Sequence, residues 1–369
     1  MSQDPTVLAV NCGSSSLKFG SYRCKGGELL SVCSGEAEEI GLEEASFWVQ
    51  QSGQDRREQK TAIPNHEAAF ALAWNELIAC QGSPPHAIGH RLVHGGPHLR
   101  SHQLLTPEIG QALEGASDFA PLHVPVALAV LHASERMSPG TAQVICLDTA
   151  FHHTLPDVSR TLPLPADLRR EGVERYGFHG LSLESILDQL SQIPRRLIVA
   201  HLGNGCSITA IRDGESIDTT MAMTPNAGLM MGTRCGDLDP GVATYLAHRH
   251  GASAEEIDEL LNRKSGLIGV SELSSDVREL SAARSTNSHA DLALRMFCQQ
   301  VAKQVAAMSV VLGGVDTLVF TGGIGEHATE LRTDITAKLG PLGHFQTLVL
   351  PAREDLQIAK ITARLTKSC

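Results

Sequence analysis

Val7-Leu8-Ala9-Val10 runs into Asn11-Cys12-Gly13-Ser14-Ser15-Ser16, and Leu17-Lys18-Phe19 then resumes. A short β-prone run halted by a polar, glycine-bearing turn and then restarted predicts strand, turn, strand. Leu197-Ile198-Val199-Ala200 enters His201-Leu202-Gly203-Asn204-Gly205 in the same way and leaves it as Cys206-Ser207-Ile208-Thr209-Ala210-Ile211. Aligning the two turns matches only Gly13 with Gly205 and Ser15 with Ser207. The suggestion of a duplicated architecture therefore rests on pattern more than on identity.

Between these openings the pattern alternates. Helical stretches are predicted over 66–79 and 124–136, and strands over 87–89 and 143–147, which together read as mixed α/β. A long helix over 290–312 precedes the strand Thr317-Leu318-Val319-Phe320, which enters Thr321-Gly322-Gly323-Ile324-Gly325-Glu326, and 354–367 reads as a last helix. At 369 residues the chain suggests two domains, with the change near residue 150.

Composition narrows the function. Hydrophobic residues at 42% and charged residues at 19% fit a globular protein and exclude wholesale disorder. A net charge of −11 argues against a broad nucleic-acid surface, so any anion site must be local. No apolar run reaches membrane-spanning length, and Met1 to Thr6 lacks the pattern of a secretory signal. The nine cysteines contain no CxxC pair, and reduced thiols in the cytoplasm are expected. His90, His94, His98 and His102 recur at fourfold spacing, but Gly95-Gly96-Pro97 interrupts any helix that would stack them as metal ligands.

The three turns are suited to anions. The first concentrates hydroxyls, Gly13 and Lys18 after a buried strand, without the spacing of a P-loop. The second offers backbone N–H groups around Asn204, and the third offers glycines against which a nucleoside can lie. Any one of them is more simply just a turn; three after β-prone runs favour a phosphate-handling site. Arg91 and Arg234, each among glycines, suit carboxylate or phosphoryl oxygens, or else pair with acids such as Asp237 and Asp239. Asp148 ends a predicted strand, as a functional residue or a cap. His179 reads as a ligand of transferred phosphate or a satisfied core imidazole.

Taken together, Asn11 to Lys18, His90 to Gly96, Asp148 to His152, Tyr176 to Gly180, His201 to Ser207, Gly232 to Pro240 and Gly322 to Glu326 resemble the acetate kinase family over nearly the whole chain. The resemblance implies two duplicated ribonuclease H-like α/β domains of the actin, Hsp70 and sugar kinase superfamily, closing on ATP in a central cleft. The first would span 1–150 with the helix 355–369 joined to it, and the second 151–354. It implies reversible transfer of the γ-phosphoryl group of ATP to acetate, giving acetyl phosphate and ADP, with Mg²⁺ or Mn²⁺, in a cytoplasmic homodimer that needs neither nucleic acid nor membrane.

Carried over position by position, Asn11 and Glu354 would serve the metal. Lys18, His201, Leu202, Gly203, Asn204, Gly205, Asp276, Val277, Arg278, Gly322, Gly323, Ile324, Gly325 and Glu326 would hold the nucleotide. Arg91 would hold the carboxylate, Asp148 would be the acid-base residue, and His179 and Arg234 would stabilise the transition state. Val93, Leu122, Phe178 and Pro225 would form the methyl pocket.

The chain departs from the family pattern at Val124, Leu181, Leu183, Asn226 and Ala227, which bears on fine specificity and subunit contacts. Two other readings remain open here: a propionate or butyrate kinase on the same scaffold, and a nucleotide switch of the actin and Hsp70 type without a carboxylate substrate.

Overall fold

The computed structural model describes residues 4–121 and 123–369. Leu122, assigned above to the methyl pocket, lies outside the described residues. The chain divides into two compact units. One takes residues up to Phe151, Gly180–Ser185 and Arg353–Cys369; the other takes His152–His179 and Ile186–Ala352.

The first unit is built on eight strands: β1 (Thr6–Cys12), β2 (Leu17–Lys25), β3 (Glu28–Glu38), β4 (Ala45–Gln51), β5 (Arg57–Thr61), β6 (Ala87–Leu92), β7 (Gln103–Leu104) and β8 (Ala142–Leu147). They lie in the order β5-β4-β3-β2-β1-β6-β8-β7. The second unit carries β9 (Arg196–Leu202), β10 (Cys206–Arg212), β11 (Glu215–Thr219), β12 (Thr317–Thr321) and β13 (Gln346–Val349), in the order β11-β10-β9-β12-β13.

The duplication is exact at the level of topology. β1 pairs antiparallel with β2 and parallel with β6, and β9 pairs antiparallel with β10 and parallel with β12. Outward from these, β2·β3 and β10·β11 are antiparallel, while β6·β8 and β12·β13 are parallel. Two sheets therefore share one five-strand plan with few matching side chains, because strand order is held by alternation and burial, which many sequences satisfy.

Both faces of β1 are buried, as its unbroken apolar run requires. Leu8 and Val10 face a core closed by the helices His66–Gln81 and Val124–Met137. Val7 and Ala9 face the C-terminal helix Glu354–Thr366 through Ile358, Ala359 and Ile361. Gly89 on β6 makes that last contact close: a Cβ there would stand 2.0 Å from Thr362 Oγ1 and 2.8 Å from Ile358 Cγ2. In the second unit the helix Ser288–Leu312 covers β9 and β10.

Two expectations change. The third glycine turn is the first turn of a helix, Gly322–His327, which starts directly from β12. Reduced thiols throughout were expected; Cys24 and Cys369 stand side by side within disulfide reach, their Cα atoms 5.3 Å apart, and the other seven cysteines are free. The C-terminal helix brings Cys369 back beside β2, a proximity that a gap of 345 residues conceals in the sequence. The fourfold histidine spacing has no helical meaning, since Ala87–Leu92 is a strand; His90 Nε2 lies 2.7 Å from Gln143 Oε1, and His94 Nδ1 accepts from the Gly96 N–H.

Candidate active site

Each unit gathers its own set of the expected residues. In the first, β1 ends at Asn11, β6 carries Arg91, β8 delivers Asp148 just past its end, and the C-terminal helix opens with Glu354 and Asp355. Three neighbouring strand ends and one helix start meet because β1, β6 and β8 are parallel neighbours on which the helix packs.

The contacts form a connected series from Asp148 through Arg91 and Asn11 to Glu354 and Asp355. Arg91 donates from Nε (3.0 Å) and Nη2 (2.6 Å) to Asp148 Oδ2, and from Nη1 to Asn11 Oδ1 at 3.1 Å. Asn11 Nδ2 donates to Glu354 Oε2 at 3.1 Å and to Asp355 Oδ1 at 3.3 Å. Asp148 is 1% exposed, and its Oδ1 is buried with no hydrogen-bond partner among the described residues. Lys18 Nζ lies 3.5 Å from Glu36 Oε1.

Charge is unbalanced here. Burial pushes the Asp148 carboxyl above the ordinary aspartate range, against the pull of Arg91. Burial and then Glu354 push Asp355 up, opposed by Lys18 and Asn11. Burial alone would lower Lys18, but Glu36, Asp355 and Glu354 outweigh it and raise it. Clustered oxygen donors that strain against one another's charge suit a hard divalent cation. Val93, in the same unit, is buried.

The second unit assembles the glycine turns. Gly203 and the Gly322 turn touch: a Cβ at Gly203 would lie 3.8 Å from the Gly323 nitrogen, and one at Gly322 (φ +77°) would lie 2.7 Å from the Leu202 carbonyl oxygen. A Cβ at Gly323 would meet nothing within 4 Å, so the backbone there is open to a flat ligand. Glu326 braces the turn, its Oε1 accepting from the Gly322 and Ala352 N–H groups at 3.1 Å each.

His179 and Arg234 converge on the same place. The imidazoles of His179 and His201 stack with centroids 4.0 Å apart, and His179 Nδ1 is 2.9 Å from Ser207 Oγ. A Cβ at Gly205 would stand 3.0 Å from His179 Nε2 and 3.5 Å from Arg234 Nη1, so the glycine leaves these two side chains room to flank the turn. His179 holds φ +61°, a conformation that costs a non-glycine residue about 1–3 kcal/mol and that persists only where the surroundings fix it. Phe178 is buried, and Pro225 accepts from Arg234 Nη1 at 3.2 Å through its carbonyl oxygen.

Asp276, Val277 and Arg278 stand differently. Asp276 caps the helix Val277–Ala283 and pairs with Arg278, whose side chain is 90% exposed. Asp355 and Ser207 were not singled out as site residues by sequence reasoning. Asp355 is signalled only by adjacency to Glu354; Ser207 is signalled by its match to Ser15 in the repeated turns.

The profile of the acetokinase family matches residues 6–353. Acetate kinase 2 of Neisseria meningitidis serogroup B is 39% identical over 396 residues, covering 98% of each chain. The crystal structure of Porphyromonas gingivalis acetate kinase superposes with a TM-score of 0.85 at 36% identity, over 98% of this chain and 100% of that one. A propionate kinase from Francisella tularensis superposes with a TM-score of 0.91 at 34% identity over the same shares. Sequence and fold agree over the full length, and the chain belongs to the acetokinase family.

Proposed function

We propose that this protein is an acetate kinase, reversibly transferring the γ-phosphoryl group of ATP to acetate to give acetyl phosphate and ADP. The observation that carries the reading is the hydrogen-bonded series Asp148–Arg91–Asn11–Glu354 in a protein of this family.

The chemical problem is the meeting of two anions. Acetate, with a pKa of ~4 to 5, is already ionised at neutral pH, so its oxygen attacks the γ-phosphorus and the bond to ADP breaks with no obligatory proton transfer. Arg91 would hold the carboxylate, while Asp148 fixes the guanidinium by two hydrogen bonds. His179 and Arg234 would stabilise charge on the equatorial oxygens. Lys18, Gly203, Gly205, Gly322 and Gly323 would hold the nucleotide together with Asp276, Val277 and Arg278, with His201, Leu202, Asn204, Ile324, Gly325 and Glu326 shaping the turns.

The donor set of Asn11, Glu354 and Asp355 fits Mg²⁺, with Mn²⁺ as a substitute. When bound with ATP, the ion would neutralise phosphate charge. Val93 is bulky and buried, which supports acetate over propionate; Phe178 and Pro225 would complete the methyl pocket. Because the reaction uses the ATP and ADP pool, we assign the enzyme to the cytoplasm. By family resemblance the working form is a homodimer, which analytical ultracentrifugation tests.

The direct experiment mixes protein, Mg-ATP, hydroxylamine and one acid at a time. Hydroxamate with acetate, and less with propionate, is expected. ATP hydrolysis that acetate does not stimulate would replace the reading with a nucleotide switch.

A further inference from the structure

His102 immediately precedes β7, the short edge strand paired antiparallel to β8 with Gln103 opposite Ile145. Its Nδ1 accepts the Leu147 N–H at 3.0 Å, where backbone pairing with β7 gives out. Because Nδ1 accepts from a backbone N–H, the ring proton sits on Nε2, which donates to Glu184 Oε1 at 2.9 Å. The other oxygen, Glu184 Oε2, accepts from Gln357 Nε2 at 3.1 Å. His102 and Gln357 are nearly buried, with side-chain and residue exposures of 8% and 7%, and the Glu184 side chain is 21% exposed.

Each end of this chain abuts a residue of the series from Asp148 to Glu354. Leu147 directly precedes Asp148. Glu184 lies in the helix Gly180–Gln189, whose first N–H donates to the Asp148 carbonyl at 2.9 Å; Gly180 sits so close that a Cβ would come 2.3 Å from that oxygen. Gln357 is three residues beyond Glu354, on the same face of the C-terminal helix. One polar strut thus spans the strand that delivers Asp148, the helix pressed on its backbone, and the helix that delivers Glu354.

We propose that His102 and Glu184 are positioning residues for phosphoryl transfer, holding Asp148 and Glu354 at the spacing that Arg91 and Asn11 bridge. The inference rests on the reading that Asp148 and Glu354 serve the reaction. No hydrogen bond joins His102 to Arg91 or to the Asp148 and Glu354 carboxylates among the described residues; beside a through-space pull on Asp148, it acts through the backbone at Leu147 and through Glu184.

The test is a cycle of His102→Ala, Glu184→Gln and the double variant, with Asp148→Asn alongside. Steady-state kinetics are measured against acetate, ATP and Mg²⁺, together with thermal melting. Glu184→Gln keeps size but presents a donor where two donors already point. Displacement of reacting groups by a fraction of an ångström to 1 Å costs up to about 10²-fold. Each single variant is therefore expected to lose about 10-fold or more in kcat, with acetate KM within about threefold of the parent, and the double to be no worse than the more impaired single.

Values of kcat within twofold of the parent, or losses that multiply in the double, overturn the proposal. So does a lowered melting temperature with kcat unchanged. If His102→Ala fails to fold, the isosteric Glu184→Gln carries the same expectation alone. Full activity in Asp148→Asn would instead sink the underlying reading of the site, so the two failures are distinguishable.

Discussion

Arg91 places Nε and Nη2 on one oxygen of Asp148, Oδ2, and leaves Oδ1 buried with no hydrogen-bond partner among the described residues. A carboxylate used for stability alone would share both oxygens across the guanidinium fork. Asp148 thereby fixes the guanidinium of Arg91 through one oxygen, and on the proposed function that orienting role suits a carboxylate acceptor that has no proton to give up.

Asp148→Asn keeps the shape and removes the charge. Loss of about 10²-fold or more in kcat is expected, because a preorganised charge in a buried site is removed. The loss should come with weakened Mg²⁺ dependence and a misplaced Arg91. A shifted pH profile with normal metal dependence would contradict this role.

The acid limb of the pH–rate profile follows from the raised Asp148 and Asp355 carboxyls. Each takes up a proton at a higher pH than the ~3.9 of an unperturbed aspartate. Activity should therefore fail, as pH is lowered, before free carboxylates titrate. For stability the sign is opposite: a carboxyl raised in the fold favours the folded state at low pH, and that benefit is lost as pH rises through its folded pKa. In EDTA, Asp355→Asn should gain in melting temperature over the parent as pH increases from 4 to 8 (about that range); a difference independent of pH would refute the assignment.

Gly89 has no room for a side chain against Thr362 and Ile358. Gly89→Val should destabilise the protein by about 1–3 kcal/mol, the usual cost of overpacking. It should also raise the Mg²⁺ concentration needed for half-maximal rate, because the helix that must shift carries Glu354. Chemical denaturation and a metal titration check the two effects separately.

Val93→Ala should enlarge the methyl pocket. One methylene discriminates by about 1–3 kcal/mol, so the ratio of kcat/KM for propionate over acetate should rise by about 10-fold or more. An unchanged ratio would remove Val93 from the pocket.

Much of this was legible in the sequence where local pattern and global role coincide. The apolar runs at 7–10, 197–200 and 317–320 are strands because short, unbroken β-prone runs buried on both faces leave little choice, and the helices at His66, Val124 and Ser288 begin close to where the periodicity placed them. What stayed hidden depends on contacts across long separations. Strands β3 to β5 have exposed, mixed residues with a weak signal. The link from His102 to Glu184 and Gln357, and the approach of Cys24 to Cys369, join residues 82 to 345 positions apart. No window of local sequence contains both partners of either.

The segment Arg353–Cys369 belongs to the same unit as β1. During synthesis the ribosome therefore releases the first unit's sheet long before the helix that covers Val7 and Ala9, while the whole second unit emerges in between. Since domains tend to fold as they emerge, the apolar face left waiting is a natural point for chaperone capture, and maturation of the nascent enzyme ends with its first-made half rather than its last.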